Sequence, residues 1–314
     1  MTDPRRTALA VLSFNRPDYF RQVAESIARQ HPADMKGVDV YVFQDGAVNP
    51  FSGERKSPDA PVEECARQAR ASLPGAVIEA SPVNLGIALN YDRAEKRVFE
   101  ELGYDAAMFF EDDLVPQPHY VGVLRKMLAL AAETPRMGLV AAHRYSHAHR
   151  TPYGRQEQDR AHVVPMGNNW GFGVLKDRWL RAKPAVDAYL NLVRGKDYSH
   201  RPHDAIQKFM VGKGWSPGTT SQDWAKQCAY MEAGYIQVAT ATNNAKYIGK
   251  HGTHGNQQKW DERRYAEAVI YDKDFREIRA PGNPELDRIS GEVSWHLFGR
   301  PHPTSKAAVT RSWQ

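Results

Sequence analysis

Met108-Phe109-Phe110-Glu111-Asp112-Asp113-Leu114 decides the fold. A short apolar run, the mark of a buried strand, stops at three consecutive carboxylates. Unpaired carboxylates are expensive to bury, so they must emerge at a strand end, where water, a cation or a partner can meet them. Three adjacent acids repel one another, and a hard divalent ion removes that repulsion. Such an ion, held by few protein ligands, keeps positions free for phosphate oxygens. The plain alternative is a solvated acidic turn, the usual fate of a charge run.

Working outward, the first half alternates strands and helices. Thr7 to Phe14 is an apolar strand, broken by Asn15-Arg16-Pro17-Asp18. Phe20, Val23, Ala24 and Ile27 recur at helical spacing between Tyr19 and Gln30. Val38 to Phe43 is a second strand, closing on Gln44-Asp45-Gly46, and a helix follows from Val62 to Leu73. Ala76 to Ala80 is a third strand, and Asn84-Leu85-Gly86 opens a helix reaching Leu102. This alternation predicts an α/β fold with a mostly parallel sheet flanked by helices. Ligands of such sheets bind at the strands' carboxyl ends, where Arg16, Asp45 and the three acids fall.

Beyond residue 135 the pattern loosens. Met137 to Ala142 and Gln237 to Thr240 read as strands, Trp170 to Leu175 as a strand feeding a helix near Lys176, and Asp223 to Gly234 as a helix. His143 to His162 reads as a His/Arg-rich loop, 195–218 as loop around a short helix, and 246–258 as a mobile loop. The expected division is 1–135, then 136–265 with flexible loop 246–258, and 266–314 as a tail packing on the core.

The 314 residues carry 41% hydrophobic and 25% charged side chains, ordinary for a globular protein. No apolar stretch is long enough to span a membrane and no signal peptide is evident, so a cytoplasmic location is expected. Cys65 and Cys228, two and far apart, make no disulfide scaffold. The net charge of +5 and pI near 9.1 come from scattered Lys and Arg without a nucleic-acid motif. Nucleic acid is therefore not an expected partner.

Taken in order, these segments resemble GT-A fold glycosyltransferases that use nucleotide sugars. The nearest resemblance is to the alpha-mannoside beta-1,2-N-acetylglucosaminyltransferase family, from about Leu9 to about Phe275. Phe14-Asn15-Arg16-Pro17 is also similar to bacterial family 2 glycosyltransferases. The resemblance implies a GT-A, Rossmann-like sheet with a looser acceptor-binding half, and a UDP-sugar donor, best guessed as UDP-N-acetylglucosamine. It implies Mn²⁺ or Mg²⁺ as cofactor and a carbohydrate or other hydroxyl-bearing acceptor. Arg16 would contact the nucleotide, Asp45 the uridine, and Asn90 would stand where the family has a His. Asp113 would ligate the metal, Asp112 would meet sugar or ribose, and Glu111 completes the donor-binding acids. Trp170 and Gly171 would line the donor-sugar pocket. Asp223 would be the catalytic base, and Thr253 and His254 would close over the donor. The family's eukaryotic members carry an N-terminal anchor, and none is expected here. The segments 195–218 and His143–His149 have no counterpart, so acceptor identity is not carried over.

The chemistry suits these residue types. A departing diphosphate needs positive charge, and an acceptor hydroxyl must lose its proton as it attacks the anomeric carbon from the opposite face. Each residue also has a structural alternative. Asp223 can be a helix cap, with Asp204 as rival base. Asp45 can be a turn former, Arg16 half of a surface ion pair, and Trp170, Trp215 and Trp224 core residues. His254 can ligate metal instead of touching donor, while His143, His147 and His149, without a Cys nearby, make a poor zinc set. Two other classes remain: a nucleotidyltransferase acting on sugar phosphates, and a non-catalytic sugar-nucleotide-binding module. The first wants a Gly-rich phosphate loop and Lys, which Ser13-Phe14-Asn15-Arg16 does not supply. Hydrolysis of the donor distinguishes the second.

Overall fold

The structure, a computed structural model, describes residues 6–144, 147–252, 257–275 and 277–299. The chain runs β1 (Thr7–Ser13), α1 (Pro17–Ala28), α2 (Pro32–Met35), β2 (Val38–Gln44), α3 (Asp59–Ser72), β3 (Val77–Ala80), α4 (Gly86–Lys96) and β4 (Ala106–Glu111). It continues with β5 (Leu114–Pro116), α5 (Tyr120–Glu133), β6 (Met137–Ala141), α6 (Tyr153–Asp159), β7 (Val163–Pro165), β8 (Gly171–Leu175), α7 (Lys176–Val193) and α8 (His203–Gly212). Then come α9 (Gln222–Glu232), β9 (Ile236–Thr240), β10 (Ala245–Tyr247), α10 (Gln257–Glu262) and α11 (Asn283–Phe298).

Eight strands form one sheet in the order β3-β2-β1-β4-β8-β6-β9-β7. β8 and β7 run against the rest, and β3-β2-β1-β4 is wholly parallel. The mostly parallel α/β sheet read from the sequence is therefore present. β1 is buried along its whole length, which explains its unbroken apolar reading: helices cover both faces. Leu9, Val11, Met108 and Phe110 pack into the core on one face, Ala8, Ala10, Leu12 and Phe109 on the other. Phe109 sits among Tyr91, Phe99 and Phe172, with ring centroids 5.4–6.2 Å away.

The chain order matters for the site. After β1 the chain builds outward through β2 and β3, then returns to lay β4 on β1's other side. The loops after β1 and β4 thus diverge to opposite faces and leave a crevice at the carboxyl ends. Pro17 at the first position of α1 turns the chain sharply after Arg16, whose carbonyl accepts from Tyr19 and Phe20.

Several sequence expectations are corrected. The 143–162 segment is not all loop: it contains α6 and a short 3₁₀ turn at His147–Arg150. Hydrophobic periodicity missed α6 because a polar residue anchors it: buried Gln156 bonds the carbonyls of Thr151 and Val269 and accepts from the Asn243 amide. Nor is 246–258 wholly loop. Lys246 and Tyr247 lie in β10, paired antiparallel with β5, and Gln257 opens α10. Among the described residues no helix is long and apolar enough to cross a membrane.

Candidate active site

Arg16 from the β1 crevice meets the acids from the β4 crevice. Its guanidinium clasps Asp112, with Nη2 on Oδ1 and Nε 3.4 Å from Oδ2, while Nη1 lies 2.9 Å from Asp113 Oδ2. The acids' side chains are 7% exposed and Arg16's 26%, so this is not a surface pair. Burial opposes the guanidinium's charge, but Asp112 and Asp113 outweigh it and raise its pKa. Asp113 is pushed up to about 6 by burial, with Arg16 pulling the other way.

The segment after β10 folds over this clasp. The Ile248 amide donates to the Asp113 carbonyl (2.8 Å), and the His251 amide donates to the Tyr19 hydroxyl (2.9 Å). Arg16 Nη1 reaches the His251 carbonyl at 3.4 Å. Gly249 is required there: a Cβ would overlap the Tyr247 hydroxyl and stand 2.6 Å from Asp113 Oδ2. Thr253 and His254, expected to close over donor, lie outside the described residues.

The test for a metal gives a fit. Every donor at this corner is a hard carboxylate oxygen, and Asp113 Oδ1 is buried with no hydrogen-bond partner among the described residues. Asp113 would supply that oxygen, with Asp112 beside it. A different acidic group, Glu54, Asp197 and His200, already holds a cation: Lys56 Nζ is 2.7 Å from Glu54 Oε2 and from Asp197 Oδ2. His143 and His149, expected in an exposed loop, are both buried. His143 is buried between the Tyr120 hydroxyl (2.8 Å) and Asn168 Oδ1 (3.0 Å), and burial lowers its pKa to about 4.

Asp223 lies in the first turn of α9, and Ser221, not Asp223, is the cap: its Oγ accepts from the Trp224 amide. Asp223's carboxylate accepts from the Gln222 side chain and acts electrostatically on Glu111 at the end of β4. Burial raises both carboxyls' pKa, and Lys226 restrains that of Asp223. The Tyr91 hydroxyl reaches Glu111 Oε1 (3.4 Å) and the Asn169 carbonyl (3.3 Å). Asp204, the rival, is exposed on α8.

Asp45 ends β2 with its carboxylate already engaged. Oδ1 accepts from the amides of Gly46 (3.0 Å) and Leu85 (2.7 Å), Oδ2 from the Gly86 amide (2.9 Å) and Asn84 (3.1 Å). It therefore tethers the start of α4 to β2. Asn90 donates to the Phe43 carbonyl, and its own Oδ1 is buried without a partner among the described residues.

Trp170 stacks on Tyr247 with centroids 3.7 Å apart and planes within 9°. Tyr265 meets both rings edge-on. Gly171 is dictated by packing: a Cβ would overlap Leu114 and stand 3.0 Å from the Tyr120 hydroxyl. Tyr19, Tyr91, Asn169, Tyr247 and Gly249 were missed in the sequence. Asn168-Asn169 ahead of the Trp170 strand offered a signal, a polar pair entering a buried element; the others had none, because their partners are distant in the chain.

No protein-family model matches the chain, and no curated protein matches it. Solved structures do. A mannosyltransferase from Pyrobaculum calidifontis, in complex with GDP-Man and Mn²⁺, is 15% identical at a TM-score of 0.47, over 98% of this chain and 75% of that one. Staphylococcus aureus TarS is 11% identical at 0.41, over 76% and 59%. Glucosyl-3-phosphoglycerate synthase from Mycobacterium tuberculosis, in complex with Mn²⁺, UDP-glucose and phosphoglyceric acid, is 16% identical at 0.35, over 56% and 58%. The chain thus spans less than two thirds of the latter two.

Proposed function

We propose that this protein is a GT-A fold glycosyltransferase that moves a sugar from a nucleotide diphosphate donor to a hydroxyl acceptor, with inversion. The observation that carries this reading is the Arg16–Asp112–Asp113 cluster at the point where the strand order reverses, with Asp113 Oδ1 unpartnered. A basic and an acidic element at one crevice suit a diphosphate and its counter-ion. Mn²⁺ or Mg²⁺, held through Asp113, would supply positive charge to the leaving diphosphate.

The chain's own residues carry the remaining steps. Arg16 is within reach of any phosphate brought to the acid pair. Asp223 takes the acceptor's hydroxyl proton on a carboxylate oxygen. The acceptor oxygen bonds to the anomeric carbon as the carbon–oxygen bond to phosphate breaks, and that electron pair leaves with the diphosphate. Burial makes Asp223 more basic than an ordinary carboxylate, which favours this role. Uridine as the base and N-acetylglucosamine or another hexose as the sugar rest on the sequence resemblance. Residues 1–135 would hold the nucleotide, and 136–265 the sugar and acceptor.

The test is a panel of UDP- and GDP-sugars with Mn²⁺, read by thermal stabilisation and by donor hydrolysis. Stabilisation with metal-dependent turnover supports the proposal. Stabilisation without turnover leaves a sugar-nucleotide-binding module, and no response to any donor overturns the reading.

A further inference from the structure

The corner that the proposed function gives to a divalent ion already holds a cation. Arg16 places three nitrogens on the two carboxylates, Nη2 and Nε on Asp112 and Nη1 on Asp113. Its planar fork matches the acid pair in a way that a lysine's point charge does not. The same Nη1 reaches the His251 carbonyl at 3.4 Å, while the His251 amide is held by Tyr19 from the next turn of chain after Arg16. A Cβ on Gly252 would stand 3.0 Å from Nη1, so the backbone lies directly against the guanidinium. One side chain therefore neutralises the acids and pins the covering segment.

We infer that Arg16 is the resident counter-ion of Asp112 and Asp113, that a divalent cation competes with it for the pair, and that its displacement frees the Ile248–Gly252 segment. This rests on reading Asp113 as a metal ligand. A divalent ion on Asp113 Oδ1 and the guanidinium on Oδ2 of the same carboxylate would stand close enough to repel one another. Metal affinity in the absence of nucleotide is thus reduced by the fraction of time the clasp is closed. A diphosphate gives the displaced guanidinium a new anionic partner, so nucleotide and metal each help the other bind. Arg16 is on this account a positioning residue that makes metal loading depend on donor.

The experiment measures Mn²⁺ binding without nucleotide, by electron paramagnetic resonance of the free ion. The proteins are wild type, Arg16→Gln, Arg16→Ala, Arg16→Lys, Asp113→Asn and Arg21→Ala. Arg21 lies on α1 and pairs with Glu25, away from the acids, so its variant controls for lost charge alone. Arg16→Gln and Arg16→Ala should bind Mn²⁺ roughly tenfold more tightly than wild type. Arg16→Lys should fall between, Arg21→Ala should match wild type, and Asp113→Asn should abolish the gain when combined with Arg16→Gln. If Arg16→Ala does not fold, the Gln and Lys variants carry the comparison. Hydrogen exchange of the His251 amide should quicken in Arg16→Gln, and in wild type on adding Mn²⁺. Equal Mn²⁺ affinity in wild type and Arg16→Gln, with Asp113→Asn still weakening it, overturns the competition and leaves the metal site standing. Binding indifferent to Asp113 overturns both.

Discussion

Glu111, at the end of β4, and Asp223, in the first turn of α9, are carboxylates that repel one another electrostatically. Burial chiefly, and then Asp223, raise the pKa of Glu111. Tyr91 Oη donates to Glu111 Oε1 and to the Asn169 carbonyl, Asn169 Nδ2 donates to the Asp223 carbonyl at 3.5 Å, and Lys226, paired with Glu95 at 2.6 Å, holds down the pKa of Asp223. A carboxylate kept basic by burial, close to the acids that end β4, is what general-base chemistry needs.

Asp223→Asn keeps the shape and removes the proton acceptor. Transfer should fall by roughly 10²–10⁴-fold in kcat while UDP affinity in the presence of Mn²⁺ is unchanged. Steady-state kinetics and calorimetry on the same preparation check this. Full activity in the variant moves the base elsewhere, Asp204 first.

Asp113→Ala should abolish metal-dependent nucleotide binding, because it deletes the one buried carboxylate oxygen of the pair that has no partner among the described residues. Calorimetric titration of UDP with and without Mn²⁺ reads the difference. Undiminished affinity contradicts the assignment.

Asp45 sets a pH dependence. Burial raises its pKa from 3.8 to about 6, against the pull of the Leu85, Gly46 and Gly86 amides. Between those values the folded chain keeps a proton that the unfolded chain has lost, so stability falls as pH rises through the window. This contribution is whole below about pH 4 and lost above about pH 6, on the order of 3 kcal/mol in all. Urea unfolding of Asp45→Asn at both ends of the window should show a correspondingly flatter change than wild type.

Gly171→Ala separates packing from ligand contact. The added methyl meets Leu114 and the Tyr120 hydroxyl in a filled core, and overpacking of this kind costs about 1–3 kcal/mol. The melting temperature should drop even with no donor present. A variant of native stability with weakened donor binding would return Gly171 to the sugar pocket.

Lys226→Met should be more damaging. Lys226 and Glu95 are both about 5% exposed or less, and Trp179 Nε1 donates to Glu95's other oxygen at 3.1 Å. Removing one partner leaves a buried charge, at a cost of about 3–5 kcal/mol. Glu95→Gln combined with Lys226→Met should recover much of that loss, as denaturant midpoints would report.

The sequence by itself determined the alternation of strands and helices, the strand ends that carry Arg16, Asp45 and the acids, and the burial of β1 and β4. These are legible because backbone periodicity and the cost of burying charge act over a few residues. It did not determine that Arg16 would lie on Asp112 and Asp113, that Asp45 would be consumed by the amides of Leu85 and Gly86, or that Gln156 would hold a helix in an apparent loop. Each of those is a pairing between segments far apart in the chain. Only the return of β4 beside β1, and of β10 beside β5, decided which buried polar atoms would find partners among the described residues and which, such as Asp113 Oδ1, would not.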